Sequence, residues 1–306
     1  MKLKPGKVLI KGLTTVFISQ IYIVHAQQID PYKPCSNMPE NYPGMALVWN
    51  EEFNYNGKPI DTCWTYETGF VRNGELQLYQ KENAICKNGV LIIEAKKQKV
   101  KNPNFAKNSD KWTESREYAN YTSACVTTQN KKHFKFGHFE IRARIPVDKG
   151  CWPAIWTLGI EKEWPSNGEI DIMEFYRIKD EPTLLANMAW GTSQRFIAKW
   201  DDAKIPLTHF LSKDTEWTKK FHIWRMDWTS DSICLYLDGE LMNCTLISQT
   251  INADGSNPFL QPHYILLNLA IGQNGGNPDK TKFPLTYEID YVRVYQKDPA
   301  MEIITK

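Results

Sequence analysis

The stretch Gly168–Phe175 constrains the fold more than any other part of the chain, because it sets three carboxylates among apolar residues. Side chains of a β-strand alternate between two faces, so Glu169 and Asp171 would share one face while the intervening isoleucines point into a core. Glu174 has the wrong parity, but one β-bulge between Asp171 and Glu174 would return it to the carboxylate face. A helix would spread the acids around its axis. The stretch therefore predicts a bulged strand with one acidic and one apolar face.

Other segments also follow the period of a strand. Residues 138–145 alternate strictly between apolar and polar side chains, and Asp238-Gly239 is a typical hairpin turn. Residues 233–242 are a predicted hairpin about this turn, and further predicted strands are 89–95, 265–271 and 287–295. No long stretch keeps a helical period, and a chain that is 42% hydrophobic has ample material for one core. The pattern predicts one all-β domain of the sandwich or jelly-roll type.

Three neighbouring acids predict acid–base chemistry. Like charges held close together raise at least one pKa, which divides the group into an ionised carboxylate and a protonated acid. Such a pair hydrolyses glycosidic bonds. Trp152, Trp156 and Trp164 precede the acids, and an aromatic ring stacks on the apolar face of a pyranose. The alternatives are a solvated acidic strand edge and tryptophans that only pack in the core.

These residues carry a resemblance to a known family. The run from Gly168 to Glu174 resembles the Glu-x-Asp-x-x-Glu signature of glycoside hydrolase family 16, in its bulged, laminarinase-like form. Other segments that resemble the family follow in the expected order: 48–54, 73–79, 121–124, 136–140, 152–156 and 287–295. The resemblance covers nearly everything from residue 46 to 296.

The resemblance implies a jelly-roll sandwich of two antiparallel sheets with an open, concave substrate cleft. It also implies a retaining double displacement with no cofactor for catalysis. Glu169 would be the nucleophile and Glu174 the general acid and then the base. Asp171 would hold the proton balance of the pair by a hydrogen bond to the nucleophile.

Substrate-binding residues are also implied. The resemblance places Trp152 and Trp156 on the cleft floor, and it matches Asn73 and Glu75 to residues that bind sugar hydroxyls. Trp164, which precedes the acids, is a further candidate for binding substrate. For Asn73 and Glu75 the alternatives are a turn residue and an exposed strand residue.

A structural calcium ion is implied on the convex face, away from the catalysis. The matching ligands are Glu52, the carbonyl of Gly89, and Asp290, and oxygen ligands suit calcium. The alternative for Asp290 is a plain surface carboxylate in the last strand.

Departures from the family bear on the substrate. Trp190 stands where laminarinase-like relatives usually carry a histidine, Cys125 stands where arginine is common, and the loop 272–276 lacks a customary tryptophan. We expect Trp190, Arg195 and Trp200 to recognise a different sugar, because unpaired polar groups discriminate strongly. The favoured activity is that of an endo-β-1,4-galactosidase on mucin-type or keratan-type chains. The alternatives are an endo-β-1,3-glucanase, an agarase or porphyranase, a transglycosylase, and a non-catalytic carbohydrate-binding protein.

The first residues are typical of an export signal. Residues 1–26 combine four lysines with an apolar run and a small-residue cleavage site, and the alternative is an uncleaved anchor. An extended leader (27–45), the catalytic domain (46–296) and a short tail (297–306) follow. Without the signal, 33 basic residues stand against 35 acidic ones, so nothing favours a nucleic-acid partner. We expect an exported monomer without a membrane span.

The chain has seven cysteines, and none forms a C-x-x-C pair that would indicate structural zinc. Cys234 and Cys244 flank the predicted hairpin turn and would face each other if the loop had three residues. Cys125 and Cys151 are expected to be buried as small apolar side chains.

Overall fold

The computed structural model describes residues 29–35 and 39–298, so the predicted signal peptide and nearly all of the predicted tail lie outside the described residues. The strands are β1 (Met45–Glu51), β2 (Thr65–Glu67), β3 (Gln77–Tyr79), β4 (Ala84–Lys87), β5 (Val90–Lys101), β6 (Tyr118–Ser123), β7 (Cys125–Thr127), β8 (Gly137–Arg144), β9 (Cys151–Gly159), β10 (Glu169–Ile178), β11 (Glu181–Gly191), β12 (Ala198–Pro206), β13 (His222–Trp228), β14 (Ser232–Leu237), β15 (Glu240–Leu246), β16 (His263–Ile271) and β17 (Leu285–Lys297). Two short helices are α1 (Trp112–Ser115) and α2 (Leu207–Lys213). Neither of these described helices has the length and apolar character needed to cross a bilayer.

The strands form two facing sheets. One has the order β15-β14-β13-β8-β17-β5-β6-β3, with β1 added on β17 and β4 on β5. The other has the order β12-β11-β10-β9-β16-β7-β2. Strand pairs are antiparallel except for β3 with β6, which run parallel within the described part of the chain. The predicted all-β jelly-roll sandwich is confirmed.

The core lies between the two sheets, and the alternation within β8 shows how the sequence builds it. Phe139, Ile141 and Ala143 are buried in the main hydrophobic cluster, where they meet side chains of the other sheet such as Ile155 and Ile170. Burying a side chain as large as that of Phe139 or Ile141 stabilises the fold by about 1.5–3 kcal/mol. A strand with apolar residues at every second position therefore fixes which of its faces turns inward.

The opposite face of β8 is buried as well, because the N-terminal segment covers it. The hydroxyl of Tyr42 donates a hydrogen bond to Glu140 (2.6 Å). Arg142 donates to the backbone carbonyls of Lys33 (2.9 Å) and Asp30 (2.8 Å). The described part of the predicted leader thus packs on the outer face of the larger sheet.

The predicted bulge is present in β10. Asp171 lies opposite Asn187 of β11, whereas Glu174 lies opposite Leu185, so β10 holds one residue more than its partner. The extra residue puts two consecutive apolar side chains, Ile172 and Met173, into the core. It also turns Glu174 to the same face as the other two acids, as the parity argument predicted.

A second bulge brings two cysteines together. The turn between β14 and β15 holds only Asp238 and Gly239, and with a regular ladder Cys234 would not meet Cys244. A register shift on the β15 side, at Met242, inserts the missing residue, and the two cysteines form a disulfide. The predicted pairing is confirmed, but the bulge supplies the residue that was expected from a longer loop.

Candidate active site

A cleft of about 1250 Å³ lies over the outer face of the smaller sheet. Alternate residues of β9, β10, β11 and β12 line it, together with Asn268 of β16. The loops before β3 and before β10 contribute Asn73 and Trp164 to its walls. The cleft therefore runs across several strands, and any side chain on the outer face of β10 points into it.

All three acids of β10 line this cleft. Gly168, which precedes the first of them, has a left-handed backbone with φ +78°. A Cβ atom there would lie 2.8 Å from the Cβ of Pro258. Glycine is thus required both by conformation and by space, and it lets β10 start so that Glu169 faces the cleft.

Hydrogen bonds to Glu169 favour its charged form. The indole Nε1–H of Trp164 donates to Oε2 of Glu169 (2.6 Å), and Asp171 also hydrogen-bonds this carboxylate. Burial raises the pKa of Glu169, while the bonds from Trp164 and Asp171 act in the opposite direction. Among the three acids, Glu169 has the partners best suited to a carboxylate ion.

Glu174 is in the opposite situation. Burial and the nearby charge of Glu169 raise the pKa of Glu174 to about 7. Its oxygens accept bonds from Trp152 Nε1 (2.8 Å) and Asn187 Nδ2 (3.1 Å), which limit that rise. A carboxyl group that titrates near neutral pH can give up a proton and take one back under ordinary conditions.

Asp171 lies between these two acids and is only 1% exposed. Burial and the charges of Glu174 and Glu169 raise its pKa well above the usual value. It accepts one bond from Asn187 (3.2 Å) and shares a hydrogen bond with Glu169. The raised pKa favours the protonated form of Asp171, which can donate to Glu169, so the site sets an ionised carboxylate beside acids that hold their protons more tightly.

Tryptophans form the floor of the cleft. Trp152 and Trp156 lie on the same face of β9 and both line the cleft, although each is largely buried. Trp156 donates from Nε1 to Oδ1 of Asn268 (2.7 Å), and the Arg72 guanidinium lies 5.0 Å from its ring centre. The indole N–H groups of both tryptophans are thus bonded within the protein.

Asn73 and Glu75 lie together at one side of the cleft. Asn73 has a left-handed backbone, as a turn residue does, and its amide donates to Glu75 (3.3 Å). Glu75 is buried and also accepts a bond from Gln77 (2.6 Å), so the alternative of an exposed strand residue is wrong for Glu75.

Comparison with known proteins identifies the family. The model of the glycosyl hydrolases family 16 matches residues 64–293. The chain belongs to this family. It is therefore a glycoside hydrolase, and the endo-acting, retaining cleavage of family 16 applies to it.

Several proteins of this family are similar to the chain over most of its length. A β-glucanase of Rhodothermus marinus is 33% identical over 287 residues, which cover 85% of this chain and 88% of the relative. The laminarinase catalytic domain of Thermotoga maritima is 33% identical with a TM-score of 0.68, and the match covers 83% of this chain and 99% of that one. A solved structure from work on endo-acting O-glycanases, with which human gut microbiota initiate mucin breakdown, is 31% identical with a TM-score of 0.77. That match covers 88% of this chain and 97% of the other.

The predicted role of Trp190 in the family 16 cleft is wrong. Trp190 is 4% exposed and belongs to the core cluster between the sheets. Leu185 and Asn187 of the same strand line the cleft. Trp190 is three residues beyond Asn187, and because side chains alternate between the two faces of a strand, it points to the opposite face. Arg195 does not line the cleft either. Its side chain is 73% exposed and forms a two-pronged ion pair with Glu163 (2.8 and 2.9 Å).

Trp200, named with these two residues, does line the cleft and is 43% exposed. It stands on β12 with Asp202 and Lys204, which also line the cleft and form an ion pair. Sequence reasoning missed these two charged residues and Asn187. The signal for Asn187 was present, since it is a lone polar side chain in the apolar run of the strand that follows the acidic motif.

The predicted calcium ligands do not fit a calcium ion. Glu52 accepts two bonds from the guanidinium of Arg293 (2.9 and 2.8 Å), and Asp290 accepts from Arg142 (2.5 Å) and from the backbone N–H of Cys35. An arginine already neutralises each carboxylate, so neither offers the free negative charge that a divalent cation requires. No group of three or more metal-binding side chains occurs in the described ranges.

The prediction that Cys125 and Cys151 are buried is confirmed. Cys125 and Cys151 are fully buried and take part in no disulfide. Burial raises the pKa of the Cys125 thiol well above its usual value, so it stays uncharged next to the Glu67–Arg72 ion pair.

Proposed function

We propose that the protein cleaves β-linkages inside an uncharged, galactose-containing glycan, with Glu169 as nucleophile and Glu174 as general acid and base. The observation that supports the catalytic roles is the difference between the two acids. Glu169 accepts bonds from Trp164 and Asp171 that favour a carboxylate ion, whereas the pKa of Glu174 is raised to about 7.

The reaction follows in two steps. In the first, the Glu169 carboxylate forms a bond to the anomeric carbon while Glu174 transfers its proton to the departing glycosidic oxygen. In the second, the ionised Glu174 removes a proton from water, whose oxygen attacks the same carbon and releases Glu169. Two inversions retain the anomeric configuration. If a sugar hydroxyl replaces water, the same residues perform transglycosylation.

Asp171 would act through Glu169. A protonated Asp171 donates a hydrogen bond that stabilises the Glu169 carboxylate before attack. Once Glu169 has become an ester, the hydrogen bond from Asp171 to Glu169 weakens. Asp171 keeps its proton, so it adds no negative charge to the buried site. This arrangement keeps a third acid in the site without adding a third negative charge.

The charges of the cleft favour an uncharged glycan. When Asp171 and Glu174 hold their protons, the charged side chains that line the cleft within the described part of the chain are the acidic Glu75, Glu169 and Asp202 and the basic Arg72 and Lys204. Both basic groups are already paired with acids. A sulfated or sialylated residue bound across the acids would therefore meet like charge without a free cation to compensate it. We expect unsulfated stretches to be cleaved faster than sulfated ones.

The preference for galactose-containing chains is supported by structural likeness. The structure from the mucin O-glycanase work has a TM-score of 0.77, against 0.68 for the laminarinase, at nearly equal identity. The exposed Trp200 extends the cleft along β12 and offers a platform for a further sugar. The proposed substrate is therefore a poly-N-acetyllactosamine chain of the mucin or keratan type.

The second candidate is an endo-β-1,3-glucanase. It is favoured by the β-glucanase and the laminarinase, which are both 33% identical to this chain over most of its length. Trp190 no longer separates the two candidates, because it does not reach the cleft.

A digest panel tests the proposal. The purified protein is incubated with laminarin, mixed-linkage glucan, agarose, porphyran, keratan sulfate, its desulfated form and mucin O-glycans, and products are sized by mass spectrometry. We expect oligosaccharides from desulfated keratan and mucin glycans, and none with Glu169→Gln or Glu174→Gln. Laminarin oligomers alone would support the second candidate. Binding without any product would leave a carbohydrate-binding protein, and full activity of Glu174→Gln would refute the catalytic roles.

We also propose that the protein acts outside the cytoplasm, because a polymeric glycan does not enter cells. The export signal predicted at residues 1–26 supports this. Amino-terminal sequencing of protein recovered from the medium or periplasm should begin at Gln27, and recovery of the intact chain in the cytoplasm would contradict it.

A further inference from the structure

Asn187 connects the proton donor of the site to its central aspartic acid. It lies on β11 directly opposite Asp171, is almost fully buried, and lines the cleft. Its amide Nδ2 donates to Oδ2 of Asp171 (3.2 Å) and to Oε2 of Glu174 (3.1 Å). One neutral side chain thus contacts two of the three acids.

The two oxygens of Glu174 are held by different donors. Trp152 bonds Oε1 and Asn187 bonds Oε2, so the plane of the carboxyl group is fixed from both sides. Both bonds favour the ionised form and limit the rise in the pKa of Glu174 that burial and Glu169 cause. Without Asn187, Trp152 alone would hold the Glu174 carboxyl group, so the group would be less firmly oriented and its proton would be harder to release.

The other end of the Asn187 amide is unusual. Its Oδ1 is buried and has no hydrogen-bond partner among the described residues. A buried acceptor without a partner is costly. Glu174 alternates between an ion, which needs a donor, and an acid, whose O–H needs an acceptor, and an amide offers both groups when it turns by half a rotation. Asn187 is the neighbour of Glu174 that can serve both states.

We propose that Asn187 is a positioning residue for the acid–base step, which orients the Glu174 carboxyl group and hydrogen-bonds it in both halves of the reaction. The proposal rests on the proposed function, because it has content only if Glu174 is the acid and base. It assigns a role to a residue that does not itself need to touch the reacting atoms.

The test compares leaving groups and pH profiles. Asn187→Leu has similar size and no hydrogen-bonding group, and Asn187→Ala serves as a second variant if the first folds poorly. Both are assayed on phenyl and 2,4-dinitrophenyl β-glycosides of N-acetylglucosaminyl-β-1,3-galactose, in which galactose carries the aryl group, or of laminaribiose if laminarin is the polymer cleaved. The dinitrophenyl group leaves without a proton, so only the phenyl glycoside requires a well-placed acid.

We expect the phenyl glycoside rate to fall by about ten- to a hundredfold, as for loss of a bond to a charged group. The dinitrophenyl rate of the first step should fall much less. The alkaline limb of the kcat/KM profile should move to higher pH, because the lost donor favoured the ionised form. Met188→Leu is the matched control, since Met188 is the next residue and faces the core.

Two failures can be told apart. Equal losses on both leaving groups with an unmoved alkaline limb would overturn the role of Asn187, as would wild-type behaviour. Full activity of Glu174→Gln on the phenyl glycoside would instead overturn the proposed function itself.

Discussion

Two tryptophans provide a direct test of which acid is ionised. Trp164 donates its indole N–H to Glu169 (2.6 Å), and Trp152 donates its own to Glu174 (2.8 Å). Replacing either by phenylalanine keeps an aromatic ring in the cleft but removes one hydrogen bond to one acid. The two variants therefore perturb the same site by the same chemistry at two different carboxyl groups.

The size of the effect follows from the strength of the lost bond. A hydrogen bond to a charged group is worth about 1.5–3 kcal/mol, and one pKa unit corresponds to about 1.4 kcal/mol. Because the cleft is open to solvent, water replaces part of each lost bond, and we expect shifts of about one unit. Both donors favour the ionised carboxylate, so removing either one raises the pKa of its partner.

The assay is the pH dependence of kcat/KM, whose limbs report the essential groups of the free enzyme. Trp164→Phe should move the acidic limb, which follows ionisation of Glu169, upward by about one pH unit and narrow the active range. Trp152→Phe should leave that limb in place and move the alkaline limb upward from about pH 7, where Glu174 titrates in the native protein. The pH range over which the enzyme is active should then widen.

The control is Trp200→Phe, because Trp200 lines the same cleft and, in the part of the chain that the structure covers, bonds none of the three acids. It should change neither limb. The opposite pattern, with Trp164→Phe moving the alkaline limb and Trp152→Phe the acidic one, would refute the assignment and exchange the roles of Glu169 and Glu174. Movement of one and the same limb by both variants would refute separate roles altogether.

Three other outcomes follow from the structure. Trp200→Ala should raise KM for a long glycan about tenfold with kcat nearly unchanged, as for the loss of binding shared by ground and transition states, measured by initial rates. Asp290→Asn should lower the free energy of unfolding by about 3 kcal/mol or more, because it leaves the buried Arg142 charge without its partner, whereas EDTA should not change the Tm of the native protein. The free energy of unfolding should also fall as pH rises above about 6.5 and through the raised pKa of His138. Burial lowers that pKa, but the hydrogen bond to Asp227 and the nearby carboxylate of Glu140 outweigh burial and hold the pKa above 6.5, so the stabilisation is complete below about pH 6.5 and is lost above the raised pKa.

A specific result would contradict each of these predictions. An unchanged KM for Trp200→Ala on polymer would mean that no sugar rests on that ring. A drop in Tm with EDTA, restored by calcium, would mean that a metal holds the outer face. A pH dependence of unfolding that persists in Asp227→Asn would mean that another group than His138 carries it.

Local sequence patterns predicted those structural features that depend only on residues close together in the chain. The bulge before Glu174 was predictable because three acids with conflicting parity can meet only if one residue is added. The inward face of β8 was predictable because its apolar residues occur at every second position. The cysteine pair across the hairpin was predicted for a related reason, although a bulge at Met242 and not the turn supplies the extra residue.

Sequence by itself therefore determined the all-β fold, the strand that carries the acids, and the chemistry they serve, because strand parity and turn geometry act over a few residues. Only the tertiary structure decided the partners of those acids. Asn187 lies 13 positions from Glu174 along the chain, and Arg142 lies 148 positions from Asp290, yet each pair is in contact. It also decided that Trp190 faces the core. Such contacts depend on the register between strands, and a register is set by the packing of the whole sandwich.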